Sequence, residues 1–266
     1  MPVFREAPGK APAWCELECF EILRLGPGET RQLERRGKKE KLIVCEGQCT
    51  LQLGERTMPG PQGTNADLEP DENSFVMLDV AEPVVAVRMS GRWGDDVGGS
   101  GLFSVAANAP PPENDTPYDY VKTTSFDNHY HDCDEYWIFY EGRGVAYSEG
   151  KRYEVVPGDC VATGAGFNHD FPEVDEGPMR AVYFETTMER QKRYGHMHEP
   201  PLHQDRGRTV PRLSKKRPKG FLRSSWTKLG TVTYCFSSAF FVARSPPQAT
   251  DAAAASAVAQ KIGNCP

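Results

Sequence analysis

Histidine is scarce in this chain. Its 266 residues include six, and none comes before position 129. Imidazole chemistry is therefore confined to the second half. No run approaches the roughly 20 apolar residues that a membrane-spanning helix needs. The opening MPVFREAPGKAPAW has no apolar signal core, so a cytoplasmic address and no membrane partner are expected. No amphipathic stretch of helical length precedes residue 186, which argues against a helical protein. A Gly-rich phosphate loop and a nucleophile elbow are both missing. Basic residues are in deficit: 31 Lys and Arg against 37 Asp and Glu leave a net charge of −6. That balance argues against nucleic acid as the main partner.

Turn formers are plentiful, with 25 Gly and 22 Pro. Between them lie short runs of period two, rich in β-branched and aromatic residues: LECFEILRL, KLIVCEG, SFVMLDV and VVAVRM in the first half, EYWIFYEG, GVAYSEG, RYEVVPGD and RAVYFE in the second. Evenly spaced short strands closed by turn residues predict an all-β sandwich or barrel. Eight cysteines without a secretion signal read as reduced thiols. The two C-x3-C pairs, Cys15/Cys19 and Cys45/Cys49, miss the two-residue spacing usual for zinc thiolates.

The two halves resemble each other. EKLIVCEG (40–47) matches EYWIFYEG (135–142), and AVRM (86–89) matches AVYF (181–184), both at an offset of 95 residues. Two matches at one shift suggest a duplicated unit. The organisation expected is one unit over 14–93, a Gly/Pro-rich linker over 94–117, a second unit over 118–190, and a basic, Ala-rich flexible tail over 191–266. In the tail, HMHEPPLH (His196, His198, His203) repeats the H-x-H spacing, but beside prolines and with no scaffold expected beneath it.

The densest chemistry is HYHDCDEYW (129–137). Along an extended chain alternate residues share a face, so His129 and His131 project together. A turn at DCD then lets Glu135 open a strand whose inner face also carries Trp137 and Phe139. A further imidazole, His169, follows the glycine-punctuated PGDCVATGAGFNH. Three imidazoles and a carboxylate suit a divalent transition metal, with Fe(II), Mn, Ni, Cu and Zn all left open by the donors themselves and Fe(II) favoured only with the oxygenase expectation below. The competing reading is a set of hydrogen-bonded histidines with no metal. Trp137, Phe139 and Tyr183 are candidates for the wall of a substrate pocket, although aromatic residues more often serve as core.

These residues resemble the two motifs of the cupin superfamily. His129, His131, Glu135 and Gly142 fall at the spacings of the first motif, and Gly158, Gly166 and His169 at those of the second. Thr123, Gly164 and Glu173 stand where the family usually has glycine, proline and asparagine, and none of the three is a ligand position. The resemblance implies two double-stranded β-helix (jelly-roll) barrels, with one metal per chain held by His129, His131, Glu135 and His169. It also permits Glu135 to act as a catalytic base. In the first half the equivalent positions are Glu34, Arg36, Glu40 and Ser74, which cannot make such a site: an arginine offers a metal no lone pair. The function expected is a metal-dependent oxygenase acting on a small oxygenated molecule. A non-redox isomerase or lyase and a non-catalytic binding protein are the alternatives, and a homodimer is left open.

Overall fold

The structure is a computed structural model that describes residues 3–6, 10–113, 115–188 and 193–199. Fourteen strands follow one another among these residues, with no helix between them. They are β1 (Val3–Arg5), β2 (Leu17–Leu25), β3 (Arg31–Glu34), β4 (Lys39–Glu46), β5 (Gln48–Leu53), β6 (Arg56–Pro61) and β7 (Asn65–Asp67). Next come β8 (Ser74–Leu78), β9 (Val84–Gly91), β10 (Val97–Val105), β11 (Glu135–Ser148), β12 (Lys151–Val155), β13 (Asp159–Thr163) and β14 (His169–Thr187). The all-β expectation holds.

The first half folds into two four-stranded sheets, ordered β2-β9-β4-β7 and β3-β8-β5-β6. Their inner faces share one apolar cluster that includes Leu42, Val44 and Ala86 from the first sheet and Leu51, Phe75 and Met77 from the second. In the second half β1-β13-β11-β14-β10 form a continuous path, with β12 also paired to β11. Trp137, Phe139, Phe171 and Ala181 anchor a separate cluster there. A third cluster lies between the halves, where Ile43, Cys45 and Val87 meet Tyr136, Ile138 and Phe184. Residues 40–45 of β4, residues 135–140 of β11 and all of β9 are consequently buried on both faces. This accounts for the unbroken apolar runs in those strands, where a half-exposed sheet would alternate.

The repeat persists in the register. Glu40 pairs with Ser90 and Leu42 with Arg88 across β4 and β9; 95 residues on, Glu135 pairs with Glu185 and Trp137 with Tyr183 across β11 and β14. Glu34 pairs with Ser74, and His129 bridges His169, at that same offset.

Two boundary expectations change. The stretch 94–117, expected as a linker, contains β10, which pairs with β14 from Val97↔Thr187 to Val105↔Met179. Its glycines are there for close packing: a Cβ on Gly98 would lie 2.6 Å from Glu185 Oε2, and one on Gly101 2.9 Å from the Tyr183 ring. The second half also takes in β1, whose Phe4 pairs with Cys160 of β13. The tail expectation lies outside the described residues except for 193–199, which are ordered against the second half. Cys15, Cys45, Cys49, Cys133 and Cys160 are free and buried, while Cys19 is disulfide-bonded, so the reduced-thiol reading holds for the five and not for Cys19.

Candidate metal centre

Glu135 is the first residue of β11 and His169 the first of β14, so two strand starts deliver two of the four side chains. His129 reaches the same place through a two-way backbone bridge to His169, with N–H···O distances of 3.2 and 2.8 Å. His131 is held by a turn of the second motif: the N–H of Gly166 donates to its carbonyl at 2.8 Å. Gly166 has φ +79°, a conformation glycine adopts without strain. Beside it, the N–H of Ala165 donates to Asp134 Oδ1 at 2.9 Å, so the DCD turn and the glycine turn brace each other.

The four groups converge. His129 Nε2 lies 3.1 Å from both His131 Nε2 and His169 Nε2, and Glu135 Oε2 lies 2.9 Å from His169 Nε2 and 3.3 Å from His131 Nε2. All four side chains are buried, and one ligand atom from each fits within 4.8 Å of the others.

The outer nitrogens show what the inner ones carry. His129 Nδ1 is 2.8 Å from the carbonyl of Asp127, and His169 Nδ1 is 3.0 Å from the carbonyl of Phe167. A carbonyl only accepts, so each Nδ1 holds the proton and each Nε2 turns a lone pair inward. Lone pairs cannot satisfy one another, and Glu135 Oε2 is left without a hydrogen-bond donor although buried. A shared cation resolves this arrangement, and the donor set of three nitrogens and one oxygen fits a divalent transition ion.

The electrostatics of the ion-free site pull its groups in different directions, since without a cation the carboxylate and the imidazoles are left to one another. Burial lowers the His129 imidazole to about 4, keeping it neutral. Burial alone would raise the Glu135 carboxyl, but the imidazoles of His131 and His169 outweigh it and hold the group well below the usual carboxylate range. For His131 burial pulls downward, yet contact with Glu135 and the nearby charge of Glu185 lift the imidazole above its ordinary value.

Of the pocket candidates, Trp137 stands edge-on to His169 at 5.1 Å between centroids and also meets Phe126 at the same separation. Phe139 lies deeper, 5.6 Å from Phe171, away from the imidazoles. Tyr183 is half-buried against Gly101.

The structure also brings in groups that sequence reasoning passed over. Asp127 Oδ2 is 3.1 Å from His196 Nδ1 and 2.9 Å from His198 Nε2. The His196 ring stacks on that of His129, 3.9 Å between centroids and 3° from parallel. The segment expected to lack a scaffold is thus docked at the centre, while His203 lies outside the described residues. Glu185, 1% exposed, sits 3.8 Å from His131 Nδ1 and is gripped by Arg193. The H-x-H spacing in 196–198 was the one local signal; nothing in the sequence pointed to Arg193 or Glu185.

A family described as a cupin domain matches residues 119–185, spanning all four converging side chains. The uncharacterized protein y4oW of Sinorhizobium fredii is 38% identical over 200 residues, covering 75% of this chain and 91% of that protein. Among solved structures, protein Ylba from E. coli aligns over 63% of this chain and 76% of its own at 13% identity and a TM-score of 0.42. A Cupin 2 conserved barrel domain protein from Leptotrichia buccalis covers 63% and 82% at 12% identity and a TM-score of 0.31. Residues 119–185 thus form a cupin domain, and with a relative of this similarity along most of its length the chain belongs to one family with the S. fredii protein.

Proposed function

We propose that the chain is a two-barrel cupin enzyme with one divalent metal, held by His129, His131, Glu135 and His169 in the second barrel, and that it oxygenates a small oxygenated organic molecule. The observation that carries the metal is the inward lone pairs of His129 and His169 around an undonated Glu135 oxygen. A bound Fe(II) would supply Lewis acidity and a redox couple at that point.

The chain's own residues shape what reaches it. Trp137 and Phe126 wall the imidazoles with apolar surface, which excludes water and strengthens electrostatic interactions inside. Glu135 is the one buried carboxylate in the converging set, and it can hold or pass a proton at Oε2. In the first half Glu40, which matches Glu135, is tied up in a buried ion pair with Arg88, and this supports one metal per chain.

Elemental analysis of protein purified without added metal, repeated for His169→Ala, tests the site; equal metal in both removes it. Oxygen uptake by the Fe(II)-loaded chain on candidate substrates then separates an oxygenase from an isomerase or lyase on the same scaffold. Retained ligand with no product would favour a binding protein instead.

A further inference from the structure

Residues 193–199 return to the second half and are pinned at points that all adjoin the four converging side chains. Met197 and Tyr130 exchange two backbone hydrogen bonds of 3.0 Å, and Tyr130 lies between His129 and His131. The Tyr194 N–H donates to Asp132 Oδ2 at 3.3 Å, next to His131. Asn168, just before His169, donates from Nδ2 to Glu199 Oε1 at 3.1 Å. His196 lies flat on His129.

The strongest anchor is Arg193. Its Nε donates to Glu185 Oε2 at 2.7 Å and its Nη2 to Glu185 Oε1 at 2.5 Å, a two-pronged contact between a half-exposed guanidinium and a buried carboxylate. Such charge-assisted forks are among the stronger side-chain hydrogen bonds. The room for it is built in: Gly98 faces Glu185 where a Cβ would collide, and Gly99 faces both Glu185 and Arg193. Glu185 is also the cross-strand partner of Glu135.

We propose that 193–199 is a strap governing access to the metal centre, with the Arg193–Glu185 fork as its latch. This rests on the metal reading above. The strap covers the face of His129 and borders His131, so an ion or small molecule exchanges with the centre when the latch opens. Opening costs the fork, the Met197–Tyr130 pair and the contacts of His196 and His198 with Asp127.

The test uses the full chain loaded with Co(II). Release to excess EDTA is followed by loss of the visible Co(II) bands, and amide exchange across 193–199 is read by mass spectrometry. Arg193→Ala should speed release by about ten- to a hundred-fold, the factor expected for losing charge-assisted hydrogen bonds, and should strip protection from the Met197 amide. Arg193→Lys, which keeps the charge and loses the fork, should fall between. His198→Ala leaves Glu185 paired and serves as the second variant should Arg193→Ala fail to fold; it should speed release several-fold. Co(II) held by the wild type but released equally fast by these variants overturns the strap and leaves the metal site standing. An unprotected Met197 amide in the wild type also overturns it. A wild type that takes up no Co(II) overturns both readings.

Discussion

Arg88 donates from Nε to Glu40 Oε2 at 2.8 Å, both side chains fully buried, and Glu40 is the residue of the first half that corresponds to Glu135 in the second. Glu40 is completely served there: the N–H groups of Arg36 and Gly37 reach Oε1 at 2.7 Å each, and Ser90 Oγ reaches Oε2 at 2.9 Å. A guanidinium therefore serves as the cation for the carboxylate that matches Glu135. Replacing Arg88 by Met strands a buried carboxylate, and a loss of about 3–5 kcal/mol in unfolding free energy is expected. The double variant Arg88→Met/Glu40→Gln should recover part of it. Urea titration checks this; a single variant as stable as the wild type contradicts it.

Metal should stabilise the fold. An ion bound by the native state alone, at a hundred times its dissociation constant, adds about 2.7 kcal/mol. Addition of Mn(II) or Co(II) should raise the unfolding midpoint of the wild type, and EDTA should reverse it. The midpoint of His169→Ala should not respond. Equal responses from both proteins would place the ion elsewhere.

The imidazoles of metal-free protein should titrate in a set order. His131 lies above its ordinary value and His129 at about 4, so His131 takes up a proton first as pH falls. Since the folded His129 value lies below the unfolded one, its neutral form contributes stability above about pH 6.5 that is lost on descent towards pH 4. His131 has the opposite sign: its contribution is present below the unfolded value and fades as pH rises through the folded one. Metal binding needs both rings neutral, so affinity should begin to drop where His131 protonates. Histidine ring shifts followed by NMR across pH 4–8 would show the order, and the reverse order would refute it.

Gly98→Ala is expected to destabilise by about 1–3 kcal/mol, the usual cost of overpacking. Its new Cβ would meet Glu185 at 2.6 and 2.8 Å and Cys133 Sγ at 3.1 Å. The backbone of β10 is paired to β14 along this stretch and has little freedom to move away. Gly63→Ala is the comparison, since nothing lies within 4 Å of a Cβ there, though its φ of +87° adds strain of its own. Thermal unfolding of the two should separate crowding from backbone conformation; a Gly98 variant as stable as the wild type would show that Glu185 has room to move.

How much was legible before folding varies from residue to residue. The strands announced themselves because alternation and turn residues are local properties, and EKLIVCEG and EYWIFYEG repeat at an offset that the ladders reproduce. His129 and His131 were legible as a pair because alternate residues of an extended chain share a face, whereas the resemblance to the cupin motifs is what implied that Glu135 and His169 join them, and the four lie together. The sequence by itself thus determined the strand pattern, the 95-residue repeat and the candidate donors. Only the tertiary structure decided that β1 and β10 join the second half, that the glycines of 98–101 make room for Glu185 and Tyr183 and not for a linker, and that Arg193 and His196 come back to the centre. Those outcomes depend on contacts between residues far apart in the chain, whose energies leave no period or spacing in the local sequence.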